Sequence, residues 1–380
     1  MALKEAIPRL QRELEIARLG ESARIAEAIQ VNRVVGVLGE GEVGKTETVG
    51  QAIGPSTPEL AVIRLDLDGA AGNEHLAFRL AKQIAAAYLG ASQFSTLKVG
   101  ALVPASIEAG RLELAELIGL DGVDEALRDW PSGTYPLERS LAGLEGLARR
   151  REVILWIDHL EAPALTPRHP LDLDRFLWAI RELAQRVPSL KVVLSGRGAA
   201  EGRVLGPEAA FHQQGRWLTL DNPPPDTWQK MAGDLRLPGP AATELARLTG
   251  GHPATMLLAL LRLAEGREEG PHEVLRDLAG RHAGLTARAI QHAHSLHRLG
   301  GQAMVQVANG LGPYAMTQRG ASPAQEIRKV LGRLQLAGLL RRDERWSVVN
   351  PLVAIGLRGE VPLLSAPDWE LEPEPEGDAD

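Results

Sequence analysis

The chain contains no cysteine, which excludes disulfides, thiolate nucleophiles and cysteine-ligated zinc. Any metal it holds must be bound by oxygen or imidazole. No apolar run approaches the ~20 residues of a membrane-spanning helix. The start, Met1-Ala-Leu-Lys-Glu-Ala-Ile-Pro8, lacks the basic-then-apolar order of a secretory signal. A cytoplasmic location without membrane contact is therefore expected. Repeats of ~20–50 residues are also missing, which argues against a solenoid or a propeller. What is present is ordinary globular material, 380 residues with 44% hydrophobic and 24% charged side chains. That suffices for two or three domains with cores of their own.

The formal net charge of −7 is unevenly placed. Asp368, Glu370, Glu372, Glu374, Glu376, Asp378 and Asp380 account for all of it. In residues 291–360, Arg298, Arg319, Arg328, Lys329, Arg333, Arg341, Arg342, Arg345 and Arg358 outnumber Glu326, Asp343, Glu344 and Glu360 by nine to four. A basic module thus precedes an acidic tail, whose alternation of acids with other residues suits a solvated, disordered segment.

The most specific local signal is Gly39-Glu-Gly-Glu-Val-Gly-Lys45-Thr46, a complete G-x-x-x-x-G-K-[ST] loop. It follows an apolar run, Arg33-Val-Val-Gly-Val-Leu38, that reads as a short buried parallel strand, and it opens a helix from Thr46 to Ile53. Glycines let successive N–H groups turn inward on phosphates, and the helix N-terminus adds partial positive charge. Gly39, Gly41, Gly44, Lys45, Thr46 and Glu47 are the candidate nucleotide-binding residues. Lys45 is expected on the β- and γ-phosphates and Thr46 on Mg²⁺.

Before the loop, residues 4–30 read as one or two helices. After it, strands at Leu60-Ala-Val-Ile-Arg-Leu-Asp66, Glu152-Val-Ile-Leu-Trp-Ile-Asp158, Leu190-Lys-Val-Val-Leu-Ser195 and Arg216-Trp-Leu-Thr-Leu220 alternate with helices near 74–88, 137–150 and 171–186. The alternation predicts an α/β fold, a doubly wound parallel sheet of the P-loop NTPase type. Residues 90–135 read as an insertion with short helices. Asp221-Asn-Pro-Pro-Pro225 ends the alternation. The predicted organisation is an N-terminal helical segment (1–30), a nucleotide-binding α/β domain (31–222), a helical lid (223–288), a winged-helix domain (289–360) and a disordered acidic tail (361–380). The last domain rests on a helix, a short helix, a longer helix over 323–337 and two short strands around a tight turn.

Asp158 ends an apolar strand downstream of the loop, so its carboxylate falls at the sheet edge beside a bound nucleotide, where it can order the Mg²⁺ shell. His159 stands where many such ATPases place a glutamate. Glu161, three residues on, is the nearest carboxylate able to reach an attacking water, although the Ala-Pro after it equally fits a plain surface turn. Arg197, just past the next strand, points at the same edge, either as a cation for the γ-phosphate or as a surface loop arginine. His282, His292, His294 and His297 lie on apolar-rich helical sequence without carboxylates at ligand spacing and read as partly exposed helix residues. Arg328, Lys329, Arg333, Arg341, Arg342 and Arg345 suit phosphate contacts on duplex DNA, or else form a solvated face.

In their order along the chain, the loop Gly39–Thr46, the strand ending at Asp158, Leu194-Ser-Gly-Arg197, Gly250-Gly-His-Pro253 and the terminal module resemble STAND-class P-loop ATPases, related to AAA+ proteins. The archaeal-type ATPase branch is most similar. The resemblance implies that Pro253 packs near the adenine with His252 beside it, that Arg197 reads the γ-phosphate, and that Glu161 is a second acid after the metal-binding Asp. It implies ATP/ADP and Mg²⁺ as cofactors and a switch whose nucleotide state controls lid and winged helix, through self-association, a protein effector or DNA. With His159 in place, slow turnover is expected. The competing readings are a DNA-binding regulatory ATPase resembling replication-initiator or transposition-regulator proteins, and a non-hydrolysing nucleotide-binding scaffold.

Overall fold

The computed structural model describes residues 3–57, 59–68, 70, 72–89, 137–161, 172–198, 208–265, 270–311, 324–342 and 345–358. The insertion expected at 90–135 and the tail at 361–380 lie outside these residues. Two helices, α1 (Leu3–Ala17) and α2 (Leu19–Val31), lead into β1 (Val34–Gly39) and α3 (Lys45–Ile53). Then come β2 (Leu60–Asp66), α4 (Asn73–Leu89), α5 (Leu137–Arg150), β3 (Glu152–Asp158), α6 (Leu173–Arg186), β4 (Leu190–Arg197) and β5 (Arg216–Leu220). The strands form one parallel sheet in the order β2-β3-β4-β1-β5.

Strand position explains the burial patterns. The interior strand β1, flanked by β4 and β5, is buried along its whole length, whereas β2, an edge among the described strands, alternates. On one face, Ala61, Ile63 and Leu65 pack with α4, α5 and α6; α6 presents Phe176, Leu177, Ile180, Leu183 and Ala184 as a single apolar stripe. On the other face, Val35, Val37, Ile154, Trp156 and Val193 pack under α2 and α3. Two-residue periodicity therefore turns Trp156 and Asp158 of β3, and Val193, Ser195 and Arg197 of β4, towards α3 and the phosphate loop.

Gly36 is required by a close approach. A Cβ there would lie 2.0 Å from the ring of Trp217 on β5. Gly36→Ala should lower stability by about 2 kcal/mol through overpacking between β1 and β5, read as a fall in denaturant midpoint with unchanged m-value.

Beyond the sheet the chain is helical: α7 (Pro225–Asp234), α8 (Gly239–Thr249), α9 (Pro253–Ala264) and α10 (Pro271–Arg281). They share a core built on Trp228, Met231, Leu245, Met256, Leu260 and Leu275, which also receives Leu10 from α1. The N-terminal segment is thus divided, α1 packing on the helical unit and α2 on the sheet. A last core joins α11 (Ala283–Leu296), α12 (Gly300–Ala308), α13 (Ala324–Leu336), the antiparallel hairpin β6 (Leu340–Arg342) and β7 (Trp346–Val348), and α14 (Pro351–Leu357). The boundary expected at 288/289 falls inside α11. The closing helix α14 had no sequence expectation. It is capped by Asn350, whose side chain accepts from Leu352 N and Val353 N, and it carries Leu352 into the core of α7–α10. No described helix is long and apolar enough to cross a membrane.

Candidate functional site

The site lies where β1, β3 and β4 end. Gly39, the first residue of the loop, is in register with Arg197, and Asp66 with Asp158. Gly44 adopts φ 90°, which glycine takes without strain, and places the loop at the N-terminus of α3. Lys45 Nζ donates to Gly39 O (3.2 Å) and Glu40 O (2.5 Å). Burial lowers its pKa and Arg197 adds to that, with Glu161 opposing.

Asp158 is the hub. Its Oδ1 accepts from Ser195 Oγ (2.6 Å) and His159 N (3.0 Å); its Oδ2 accepts from Thr46 Oγ1 (2.9 Å) and Arg64 Nη2 (2.8 Å). Ser195 Oγ in turn accepts from Trp156 Nε1 at 2.7 Å, so its proton is committed to Asp158. The carboxylate, 1% exposed, therefore accepts from four donors. Thr46 and Asp158, 2.9 Å apart, offer hard oxygens of the kind that Mg²⁺ prefers. The cationic Arg64 on the same oxygen shows that this atom faces positive charge.

Glu161 and Arg197 form a second unit. Glu161, 3% exposed, accepts from Arg197 N at 3.0 Å through Oε2 and pairs with Arg197 Nε at 3.2 Å through Oε1. Any water it orients shares the carboxylate with this guanidinium. Arg197 also reaches two other parts of the chain. A Cβ on Gly41 would be 3.8 Å from its Nε, and one on Gly338, before β6, 2.6 Å from its Nη1. That Nη1 is buried and has no hydrogen-bond partner.

His159 takes φ 59°, unusual for a residue with a side chain, and its Nδ1 lies 2.8 Å from Asp66 Oδ1. The hydrogen bond to Asp66 raises its pKa against the effect of burial. Asp66 is pushed up by burial, but hydrogen bonds from His159 and the Asp68 amide outweigh this and hold it low. The pair closes the edge of the site next to Asp158.

On the far side of the loop, a cleft of about 660 Å³ lies between α1, the loop, α3 and α9. Leu14, Arg18, Gly44, Glu47, Gln51, Pro253 and Leu257 line it. Arg18 is buried and donates through Nη2 to Val43 O (2.9 Å) and Asp221 O (2.7 Å), tying the α1–α2 junction to the loop and to the end of β5. His252 caps α9, Nδ1 accepting from Thr255 N. Its Nε2 sits 3.5 Å from Glu42 Oε2, too long for a strong bond, and is buried without a partner. Glu42 Oε2 is also 3.4 Å from Asn350 Nδ2. One loop carboxylate thus meets both α9 and α14.

Burial lowers the pKa of His252, with Arg341 adding to the effect and Glu42 opposing it. Because the folded value is depressed, the unfolded chain takes up the proton first. The stability this histidine contributes is complete above the ordinary 6.5 and is lost as pH falls from there through the folded value. Wild type should show a melting temperature that drops on acidification below about pH 6.5, and His252→Gln should flatten that part of the curve.

The structure brings Gly39, Gly41, Gly44, Lys45, Thr46, Asp158, Glu161 and Arg197 to one sheet edge, with Glu47 and Pro253 around the adjoining cleft. Arg64, Asp66, Ser195, Arg18 and Glu42 join them, although sequence reasoning gave them no role. The available signal was an arginine in an otherwise apolar strand, two residues before an acid. His292 lies on α11, its pKa lowered by burial and by Arg197. No group of three or more His, Asp or Glu able to hold a metal ion occurs among the described residues.

The whole fold can be set beside known structures. The Walker-type ATPase paby2304 of Pyrococcus abyssi superposes with a TM-score of 0.60 at 16% identity, covering 90% of this chain and 95% of that one. The chain has the fold of a P-loop ATPase. Lower scores are given by the Aeropyrum pernix ORC1 protein in complex with DNA (TM-score 0.41, 13% identity, 91% of this chain and 93% of that one). A STAND protein with a tetratricopeptide repeat sensor, PH0952 from Pyrococcus horikoshii, scores 0.39 at 14% identity, with 89% of this chain matching 41% of that one. No family model matches the sequence, and neither does any curated protein.

Proposed function

We propose that the protein is a Mg²⁺-dependent, ATP-binding switch ATPase of the STAND or AAA+ type with slow turnover. The observation that carries this is the Thr46–Asp158 hydrogen bond of 2.9 Å, which joins the phosphate loop to the end of β3. The loop amides and Lys45 hold the triphosphate at the N-terminus of α3. Thr46 and Asp158 would hold Mg²⁺, which would supply neutralisation of phosphate charge. Pro253 and Leu257 form the apolar wall for the base in the cleft. Glu161 fixes Arg197 and orients water, and the guanidinium engages the same carboxylate, which fits slow hydrolysis.

The switch reading rests on where the loop is touched. Arg197 lies between Gly41 and Gly338, and Glu42 between His252 and Asn350. A change at the phosphates therefore has a mechanical route to α9 and to the α11–α14 module, which the reading takes as a lid and a winged helix. Calorimetry with ATP and ADP, alongside steady-state hydrolysis, tests it. Micromolar binding that requires Mg²⁺ is expected, and no uptake of either nucleotide by folded protein sinks the proposal.

One observation favours a DNA-associated variant of this function. Arg328, Lys329, Arg342 and Arg345 are exposed on α13 and the hairpin, whereas Arg333 donates to Leu296 O and Arg341 to Ser347 Oγ. Full-length protein should then bind duplex DNA with an affinity that falls steeply with salt. Salt-independent or absent binding leaves self-association or a protein effector as the output.

A further inference from the structure

Arg64 is the only charged residue inside β2 before Asp66, and it lies in register with Trp156. Strand periodicity turns it to the phosphate-loop face, where its guanidinium stacks 4.5 Å from the Trp156 ring centroid. From there Nη2 reaches Asp158 Oδ2 at 2.8 Å. Oδ1 of the same carboxylate is already taken by Ser195 and His159 N. Oδ2 is the oxygen that also meets Thr46, and so the one a metal held by Thr46 and Asp158 would approach.

We propose that Arg64 is a built-in counter-cation that competes with Mg²⁺ for Asp158 Oδ2 and so sets how strongly nucleotide binding depends on the metal. The proposal rests on the nucleotide-binding reading above.

Three observations support it. The carboxylate is 2% exposed as a side chain, and Arg64 at 2.8 Å is the nearest cationic group on Oδ2, with His159 Nδ1 at 4.0 Å behind it. The arginine's hold is loose. It makes a single contact to Asp158 where a paired fork would make two, its Nε is buried with no partner, and its side chain is 39% exposed. Finally, a guanidinium and a divalent ion on one oxygen repel each other strongly, so the two occupants exclude one another. Exclusive binding of two cations is negative coupling: removing one strengthens the other.

The test compares the ratio of ADP dissociation constants, in EDTA against saturating Mg²⁺, for wild type, Arg64→Gln, Arg64→Met and Arg64→Lys by calorimetry. The ratio is expected to rise about tenfold in Arg64→Gln and Arg64→Met, with Arg64→Lys between them and wild type. A purely structural arginine would shift both arms alike, so an unchanged or smaller ratio overturns the inference while leaving nucleotide binding in place. Failure of wild type to bind ADP in either condition removes both. Should Arg64→Gln unfold, Arg64→Met keeps the aliphatic stem over Trp156 and carries the comparison. Mn²⁺ titration of the ADP-bound protein by electron paramagnetic resonance gives a readout independent of turnover, with tighter Mn²⁺ expected in the variants.

Discussion

Lys45→Ala should weaken ATP and ADP binding by at least about a hundredfold, roughly 3 kcal/mol, while the nucleotide-free protein melts no lower than wild type. The two halves of this result have separate causes. The ammonium donates to the carbonyls of Gly39 and Glu40 inside its own loop. Burial lowers its pKa, with Glu161 opposing and the like-charged Arg197 adding to the shift. Truncating it relieves desolvation and repulsion, which offsets the two lost hydrogen bonds, so stability should stay level or rise by up to about 1 kcal/mol. Binding, in contrast, loses a charge-assisted contact to the phosphates that nothing else in the loop replaces. Calorimetry and thermal melting on the same preparations check both. A large fall in melting temperature with affinity intact would mean that Lys45 is a structural residue and the loop is no phosphate site.

Sequence legibility followed the range of the interactions. The α/β fold was readable because the five strand runs and the loop are local patterns, each decided by a handful of neighbours. The same holds for Asp158, which announces itself as an acid at the end of an apolar strand. What surrounds Asp158 was not readable, because it arises from sheet register between segments almost a hundred residues apart. Only the pairing of Asp66 with Asp158 brings Arg64 and the His159–Asp66 contact into the site. Ser195 looked like the end of a buried strand; its hydroxyl is used because β4 lies beside β3. Arg18 is less accessible still to sequence reasoning, since it sits at a helix junction and bonds to two backbone carbonyls, one of them 203 positions away. The helix α14 was missed because seven residues carry too little periodicity to stand out. The position of Glu161 was anticipated, but its engagement with both the backbone and the side chain of Arg197 was not.

That engagement allows the structural and chemical roles of the pair to be separated. Arg197→Ala leaves Glu161, whose side chain is 4% exposed, as a buried anion with only the backbone N–H of residue 197 as donor. The partner arginine is 27% exposed and partly screened, so the expected cost is about 2 kcal/mol, below the range for a fully buried pair. Adding Glu161→Gln removes the stranded charge and should recover most of that stability, since a neutral amide still accepts from the backbone. Hydrolysis should not recover. Arg197 carries the buried, unpartnered Nη1 and reaches from the loop to Gly338 before the hairpin. Single and double variants should therefore all hydrolyse ATP at least about tenfold more slowly than wild type. The double variant should also bind ATP and ADP with nearly equal affinity. Recovery of turnover along with stability would show that Arg197 serves only to neutralise Glu161, and the route from the phosphates to the C-terminal module would have to run through Glu42 instead.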